Sequence, residues 1–473
     1  MSIREEMNMS AAKRLEYPLT AAQNMHYQWI REYKTQQVSG VSIIASLKTE
    51  LDFGLLKKCI QEEYQRYGCL RLRFTKPDKN GNIKQYLVER ETRDIPLKDL
   101  SGMTMKEADD LMQQWAYETL DGDNCPMCHI YMMKLPEGYN GFFIHMDHRL
   151  IDACGLVVLV NDLMGLYTHY QFGTEYPAPL ADFENVLAND LQKANNEKRF
   201  ARDKKFWEDQ LDELGEPMYS DIQGPSVLEE ARKKHKNKKL RAADIEREKL
   251  FVTVKDYILE PEPARGLIDF CLNHNISMTN LILLSMRTYL SKVNNGQEDI
   301  TIENFVSRRS THDEWTSGGS RTLMFPCRTV LSPETDFLSA AYEIQSVQNR
   351  IYMHANYDPA LIREEMRRRY KTPEDTTYES CYLTYQPMPV HADNPMIKDI
   401  PMHSKWFANG AATKKMYLTV SHTDNGGMNF SYHYQTVKLC EKDVELMYYY
   451  MMRILFTGIS HPDMKLGELM ETV

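Results

Sequence analysis

The residues with the clearest chemical reading close an apolar run, Ile144-His145-Met146-Asp147-His148-Arg149-Leu150-Ile151-Asp152. Alternation from Phe142 to His148 predicts a strand with Ile144, Met146 and His148 on one face. His148 would then emerge from apolar walls where a loop begins. Neutral imidazole accepts a proton near physiological pH, so a histidine there could activate an attacking amine, alcohol or thiol. Asp152 stands just before a stretch with helical period (Leu156, Val157, Val160, Leu163, Met164, Tyr167). It suits the N-terminal cap of that helix, where a carboxylate can bind backbone N–H groups and an arginine. On spacing alone, the pair reads more simply as a packed histidine beside a helix cap.

Other chemistry-bearing groups are weaker. Cys125-Pro126-Met127-Cys128-His129 has the form of a c-type haem attachment pattern, but haem attachment needs export. No second ligand pair of similar spacing accompanies it, so no metal site is predicted. Arg363 to Arg369 (REEMRRR) reads as a solvated helix face, or else as a surface for a phosphate or an acidic protein. Arg232 to Arg241 (RKKHKNKKLR) reads as a solvated loop or helix, with a docking patch for an acidic partner as the alternative. There is no Walker loop and no G-x-G-x-x-G, which argues against ATP-driven activation by this chain.

The elements that must position these groups alternate along the chain. Helices are predicted over AAQNMHYQWIREY, Phe53 to Tyr67 and Thr279 to Lys292, and around Lys205 to Leu211. Leu55, Leu56, Cys59, Ile60 and Tyr64 form the apolar side of the second. Val41 to Leu47, Cys69 to Thr75 and Thr301 to Val306 read as strands. Cys128 to Leu135 and Phe142 to His148 form a hairpin across the turn residues Pro136 to Gly141. A late hairpin joins Met416–His422 to Met428–Tyr434 through Thr423-Asp424-Asn425-Gly426-Gly427, where Asn-Gly is a strong turn signal. Pro177 to Pro179 marks a break, and Glu229 to Lys249 reads as a charged connector. Helices and strands mix in both halves, an α/β pattern.

The 473 residues suffice for two domain-sized cores. A net charge of −10 disfavours bulk binding to nucleic acid. Nine cysteines are too few and odd in number for a disulfide framework, and they read as reduced thiols. No apolar run is long enough to span a bilayer, and the first twenty residues lack the apolar core of a signal peptide. A soluble cytoplasmic protein is predicted, without membrane or nucleic-acid partners.

The ordered motifs resemble the condensation domains of nonribosomal peptide synthetases, within the chloramphenicol-acetyltransferase-like superfamily. Pro18-Leu19-Thr20-Ala21-Ala22-Gln23 resembles the N-terminal "S/T-x-A-Q" motif. Arg66 to Phe74 (RYGCLRLRF) resembles "R-H-E-x-L-R-T-x-F", and Met146 to Ala153 (MDHRLIDA) resembles the active-site motif "H-H-x-x-x-D-G". Phe206-Trp207 with Gln210-Leu211 is similar to the helix that crosses between lobes. Met324 to Arg328 (MFPCR), His354 to Pro359 (HANYDP) and Tyr382 to Gln386 (YLTYQ) resemble the later motifs. The order of the motifs along nearly the whole chain carries the resemblance.

The resemblance implies two chloramphenicol-acetyltransferase-like lobes in a V-shaped pseudodimer, with the active site in the tunnel between them. It divides the chain into an N-terminal lobe over 12–180, a crossing helix and connector over 181–250, and a C-terminal lobe over 251–473. It makes His148 the catalytic residue, deprotonating or positioning the nucleophile that attacks a thioester. It makes Asp152 structural, paired with an arginine from the neighbouring strand that Arg71 matches. Four positions depart from the family pattern. Asp147 replaces the first motif histidine, and Ala153 the motif glycine, with Gly155 two residues on. Pro326 and Thr384 replace asparagines of the later motifs. Ala153, Gly155, Pro326, Thr384, Gln386 and Ser421 are the expected substrate-channel residues. In related acyltransferases, a hydroxyl from the region of Ser421, His433 and Tyr434 can support the oxyanion; an ordinary strand residue is the alternative for Ser421.

The implied activity is that of a free-standing condensation domain joining a carrier-bound acyl or aminoacyl thioester to an amine. No cofactor would be held permanently. The phosphopantetheine thioester would arrive on an acyl or peptidyl carrier protein in trans, or on coenzyme A. A stand-alone O- or N-acyltransferase using acyl-CoA or a small acceptor is the second expectation. A non-catalytic carrier-recruitment domain is the third.

Overall fold

Two sheets organise the chain in the computed structural model, which describes residues 14–120, 122–387, 394–423 and 425–473. Each sheet belongs to its own compact unit. The first unit takes the described residues of 1–192, 309–321 and 390–409; the second takes 193–308, the described part of 322–389, and 410–473. The sequence-based boundaries at 180 and 250 leave 309–321 and 390–409 in the C-terminal lobe. The packing places both with the first unit. The first expected boundary, at 12, and Asp424 of the late turn lie outside the described residues.

The first unit's five-stranded sheet runs in the order Met402–Phe407, Gly40–Leu47, Asn140–Asp147, Cys128–Lys134, Leu97–Asp99. Its pairs are antiparallel except the last. The strand Asn140–Asp147 is buried along its whole length and lies centrally. Gly141 within it approaches its neighbour so closely that a Cβ there would sit 2.1 Å from the Ala45 carbonyl oxygen, so only glycine fits. The helices Phe53–Arg66 and Ala153–Phe172 pack together, and Leu56, Ile60, Leu159 and Leu163 are fully buried in this unit's core.

The second unit's six-stranded sheet runs Leu323–Val330, Asp299–Val306, Cys381–Gln386, Met416–His422, Met428–Gln435, Val252–Leu259. Cys381–Gln386 pairs in parallel with both neighbours; the other pairs are antiparallel. The helix Met278–Val293 is buried from Met278 to Ser291 apart from Thr279, and contacts Glu441–Ser460 and Phe337–Met353.

Most expected elements form near their expected bounds. The first helix is Ala21–Tyr33, closed at its start by a reciprocal pair of bonds between Thr20 and Gln23. The late hairpin is Met416–His422 with Met428–Gln435. Two readings differ. The expected strand Cys69 to Thr75 is a 3₁₀ turn over Gly68–Arg71 followed by a short strand, Leu72–Phe74, with all three residues buried. The alternating letters there reflect no exposed face: Arg73 is buried and paired with Glu91. The connector contains a helix, Ser226–Lys234, and a two-residue strand, Ala243–Asp244, paired with Thr376–Thr377.

Candidate active site

His148 is the first residue past the strand Asn140–Asp147, so strand alternation ends one position before it. Its backbone N–H donates to the Ser39 carbonyl at 2.6 Å, which continues the pairing of Gly40 with Asp147 by one step. The ring lies half-buried at the turn. Its Nδ1 is buried with no hydrogen-bond partner among the described residues. His145, three positions earlier, contrasts with it. Its Nδ1 shares a hydrogen bond with Ser42 Oγ at 2.7 Å and its Nε2 one with the Glu118 carbonyl at 3.0 Å. Burial pushes its imidazole down to about 4. His145 is a satisfied core histidine, whereas the His148 Nδ1 has no partner among the described residues.

Asp147 fixes the turn from inside. Its carboxylate accepts from Arg149 N at 2.8 Å, Arg149 Nε at 2.9 Å, Arg149 Nη2 at 2.9 Å, Ser39 Oγ at 3.0 Å and Gln36 Nε2 at 3.0 Å. Burial works to raise its pKa, but the charge and hydrogen bonds of Arg149, with Gln36, outweigh it and hold the carboxyl below its ordinary value. The Arg149 guanidinium lies 4.6 Å from the centre of the Phe74 ring.

Asp152 caps the helix Ala153–Phe172, accepting from Gly155 N at 3.1 Å. It pairs with Arg309, not Arg71. Arg309 Nη1 and Nη2 donate to its two oxygens at 2.8 Å each, and Arg321 N donates at 3.0 Å. Burial opposes the charge, yet Arg309 and these bonds hold the carboxyl well below the usual carboxylate range. The expectation for Arg71 is corrected for a local reason. Gly68–Arg71 turns back over the C-terminal end of the helix Phe53–Arg66. Arg71 Nη1 donates to the helix-end carbonyls of Tyr64 at 3.1 Å and Gln65 at 2.6 Å, and Nε to Val88 O at 3.1 Å. Carbonyls at a helix C-terminus lack intrahelical partners, and a cation beside them satisfies both bond and dipole.

Arg309 belongs to the segment 309–321 that joins the first unit. Gly318, at φ +79, packs where a Cβ would lie 2.6 Å from Tyr67 and from Cys69 Sγ. Arg321 anchors the end of the segment on Asp190 at 3.1 Å and Glu314 at 3.2 Å.

A family model described as Condensation domain matches residues 13–472. The chain belongs to the condensation domain family. Among curated relatives, the condensation-family chain is 21% identical over 457 residues to a plipastatin synthase polypeptide of Bacillus subtilis (strain 168), covering 96% of this chain and 17% of that protein. It is 22% identical over 463 residues to surfactin synthase subunit 1 of the same organism, covering 96% of this chain and 12% of that protein. It thus spans under a fifth of the length of these relatives. Among solved structures, it is similar to the first condensation domain of the calcium-dependent antibiotic synthetase in complex with a substrate analogue. That match has a TM-score of 0.78 and 15% identity, covering 96% of this chain and 98% of that one. A mutant starter condensation domain of rhizomide synthetase in complex with C8-CoA matches with a TM-score of 0.79 and 13% identity, covering 98% and 99%. The mixed α/β fold is therefore that of condensation domains.

The remaining expected site residues of this condensation-family chain fall in two places. Gly155 and Ala153 stand at the helix start in the first unit. Gly155 is packed under Ile151, where a Cβ would meet Ile151 Cγ1 at 2.6 Å, and its carbonyl accepts from Tyr67 Oη at 2.9 Å. It is a packing position; Ala153 is partly exposed. Pro326, Thr384, Gln386 and Ser421 lie in the second unit, where the register puts them on one face of the sheet. Pro326 and Tyr382 are both level with Glu303, Thr384 with Thr419, and Gln386 with Ser421. Thr384 Oγ1 accepts from Tyr417 Oη at 2.7 Å, and Tyr417 is level with His433. Burial pushes the His433 imidazole down to about 4. Pro326 also borders a cleft lined with Phe206, Trp207, Leu211, Arg328 and Glu379.

The other sequence candidates stay apart. Cys125 is exposed, whereas Cys128 is buried on its strand, 3.8 Å from Tyr64 Oη, and burial pushes its thiol up to about 12. Among the described residues, His235, Asp244 and Asp375 are close enough to share a cation. Lys234 Nζ already stands 2.9 Å from Asp244 and 3.6 Å from Asp375. In the Arg363–Arg369 run, Arg368 and Arg369 pair with Glu365 on their own helix. No described helix is long and apolar enough to cross a membrane. Sequence reasoning missed Arg309, Arg149 and His26, whose ring is stacked on that of His148. Arg149 was visible inside the motif; the other two reach the site only through tertiary folding.

Proposed function

We propose that the chain forms an amide bond between an acyl or aminoacyl thioester and an amine, with His148 as the group that handles the proton. The placement of His148 carries this reading: an imidazole at a buried strand's exit, on a turn clamped by Asp147 and Arg149 and followed by the capped helix at Asp152. The amine nitrogen attacks the thioester carbonyl carbon, and neutral His148 takes a proton from it as the new C–N bond forms. The tetrahedral intermediate collapses by breaking its C–S bond, and the departing thiolate takes the proton back from His148, which returns to its neutral form. Asp152 and Asp147 hold the loop and do not touch the reacting atoms in this scheme. Rigid placement of the base is worth more than its proton affinity alone, because a near-attack geometry removes much of the entropic barrier.

The donor in this reading is a phosphopantetheine thioester on a carrier protein acting in trans. Membership of the condensation family and the likeness to the plipastatin and surfactin synthases support a place in nonribosomal peptide biosynthesis. A cytoplasmic setting goes with the same proposal, and the nine free cysteines fit a reducing compartment. A second reading, with acyl-CoA as donor, draws on the similar starter domain whose structure holds C8-CoA. Parallel incubation with an acyl-carrier protein and the matching acyl-CoA, with an amine acceptor and product mass as readout, separates them. Product from the carrier-bound donor alone supports the first reading. Equal turnover with the acyl-CoA alone sinks it in favour of the second.

A further inference from the structure

The ring of His148 rests on another imidazole. His26, on the helix Ala21–Tyr33, is stacked against it with centroids 4.3 Å apart and planes 16° from parallel. His26 is buried and meets Trp29 edge-on at 5.0 Å. Its helix is pinned at the start: Thr20 and Gln23 cap each other, and the Gln23 side chain is hydrogen-bonded to Gln85.

A histidine base is ordinarily oriented by a hydrogen bond on the nitrogen that does not perform the chemistry. His148 Nδ1 has no such bond among the described residues, and neither has His26 Nδ1; both atoms are buried. The plane of the His148 ring is thus set by a flat face and not by a polar anchor. Asp147, where the family motif has its first histidine, is committed to Arg149. The second imidazole beside His148 comes instead from a helix more than a hundred residues earlier.

We propose that His26 is a positioning residue for His148, fixing the plane of the base and giving the imidazolium formed during turnover a neutral aromatic face. The inference rests on the reading of His148 as the proton acceptor. Burial first, then the neighbouring His148, push the His26 imidazole well below its ordinary range, so His26 presents a neutral ring. The other charges acting on His26 are Asp147 and Asp152, which favour its protonation, and Arg149, which opposes it. All three are tied into the ion pairs described above. A neutral ring face attracts a cation laid over it, and the attraction grows when the pair is desolvated.

The test replaces the ring by another ring and by an aliphatic chain. Full-length protein with isotope-labelled histidine reports on the His148 ring without substrate, its signal assigned by its loss in His148→Ala. One sharp signal is expected in the parent and in His26→Phe, and a broadened or split one in His26→Leu. In turnover of a carrier-bound thioester, His26→Leu loses about 3- to 30-fold in kcat. KM stays within about twofold, the pattern of an interaction made in the transition state. His26→Phe recovers most of the rate. An unchanged His148 signal in His26→Leu, or equal losses in the Phe and Leu variants, overturns the proposal. Full activity in His148→Ala would instead remove the base assignment while leaving the ring contact measurable. Should His26→Leu not fold, His26→Met supplies the aliphatic comparison.

Discussion

Asp152 and Arg309, 157 residues apart in the chain, face each other through two hydrogen bonds of 2.8 Å with almost no solvent access to either side chain. Removing one partner of such a pair leaves the other charge buried and uncompensated, at a cost of ~3–5 kcal/mol. Arg309→Ala and Asp152→Asn should each lower the unfolding free energy on that scale, and the double variant by less than their sum. Arg71→Ala should add to Asp152→Asn within ~0.5 kcal/mol, as separate sites do. Urea denaturation of these single and paired variants measures this. Strong coupling of Asp152 to Arg71 would return the pairing to the residue that the motif suggests.

His148→Ala should lower turnover by ~10²–10⁴, the scale of a lost general base. The fold should survive, because the backbone N–H keeps its bond to Ser39 and the ring Nδ1 gives up no hydrogen bond. Product formation and a thermal melt, read on the same sample, separate the two effects. Full activity in a folded His148→Ala protein would end the proposed role.

The contrast between these residues explains what could be read from the sequence. His148 and Asp152 sit in a strand–turn–helix whose periodicities and cap are local, so their placement was legible within about two residues. The family motif order then supplied the fold. Arg309 has no local signal: it reaches Asp152 because segment 309–321 packs with the first unit, and such an exchange leaves no trace in spacing. Arg71 was assigned from the likeness of RYGCLRLRF to the family motif, which lines up letters and not backbone. The structure places a 3₁₀ turn at Gly68–Arg71, which sends that guanidinium back onto the helix end. Helix ends need cations for reasons that strand patterns do not show.

Asp147 departs from the family pattern, and its surroundings say why a histidine would not serve here. Five hydrogen bonds reach its carboxylate, three of them from Arg149. Asp147→His removes the acceptor and leaves Arg149 buried without its counter-charge, so stability should fall by ~3–5 kcal/mol. The turn carrying His148 loses its anchor as well, and kcat should fall with it. Thermal unfolding and turnover of Asp147→His, beside Asp147→Asn, check this. A histidine variant as stable and active as the parent would show that the carboxylate does not hold the turn.

Glu379 provides a pH test in the second unit. It is buried, and burial together with the nearby Glu303 charge pushes its carboxyl up from 4.5 to about 7, against Thr377, Lys414 and Arg363, which pull it down. A carboxyl raised in the folded state favours folding in its protonated form. Its contribution is therefore complete below about 4.5 and is lost as pH rises through about 7. Gln mimics the protonated acid without titrating. Glu379→Gln should match the parent near pH 4.5 and exceed it by ~1–3 kcal/mol near pH 8. Melting temperatures at the two pH values, taken on both proteins, give the comparison. A constant difference between them at both pH values would mean that Glu379 does not titrate in this range, and that Lys414 and Arg363 hold it ionised.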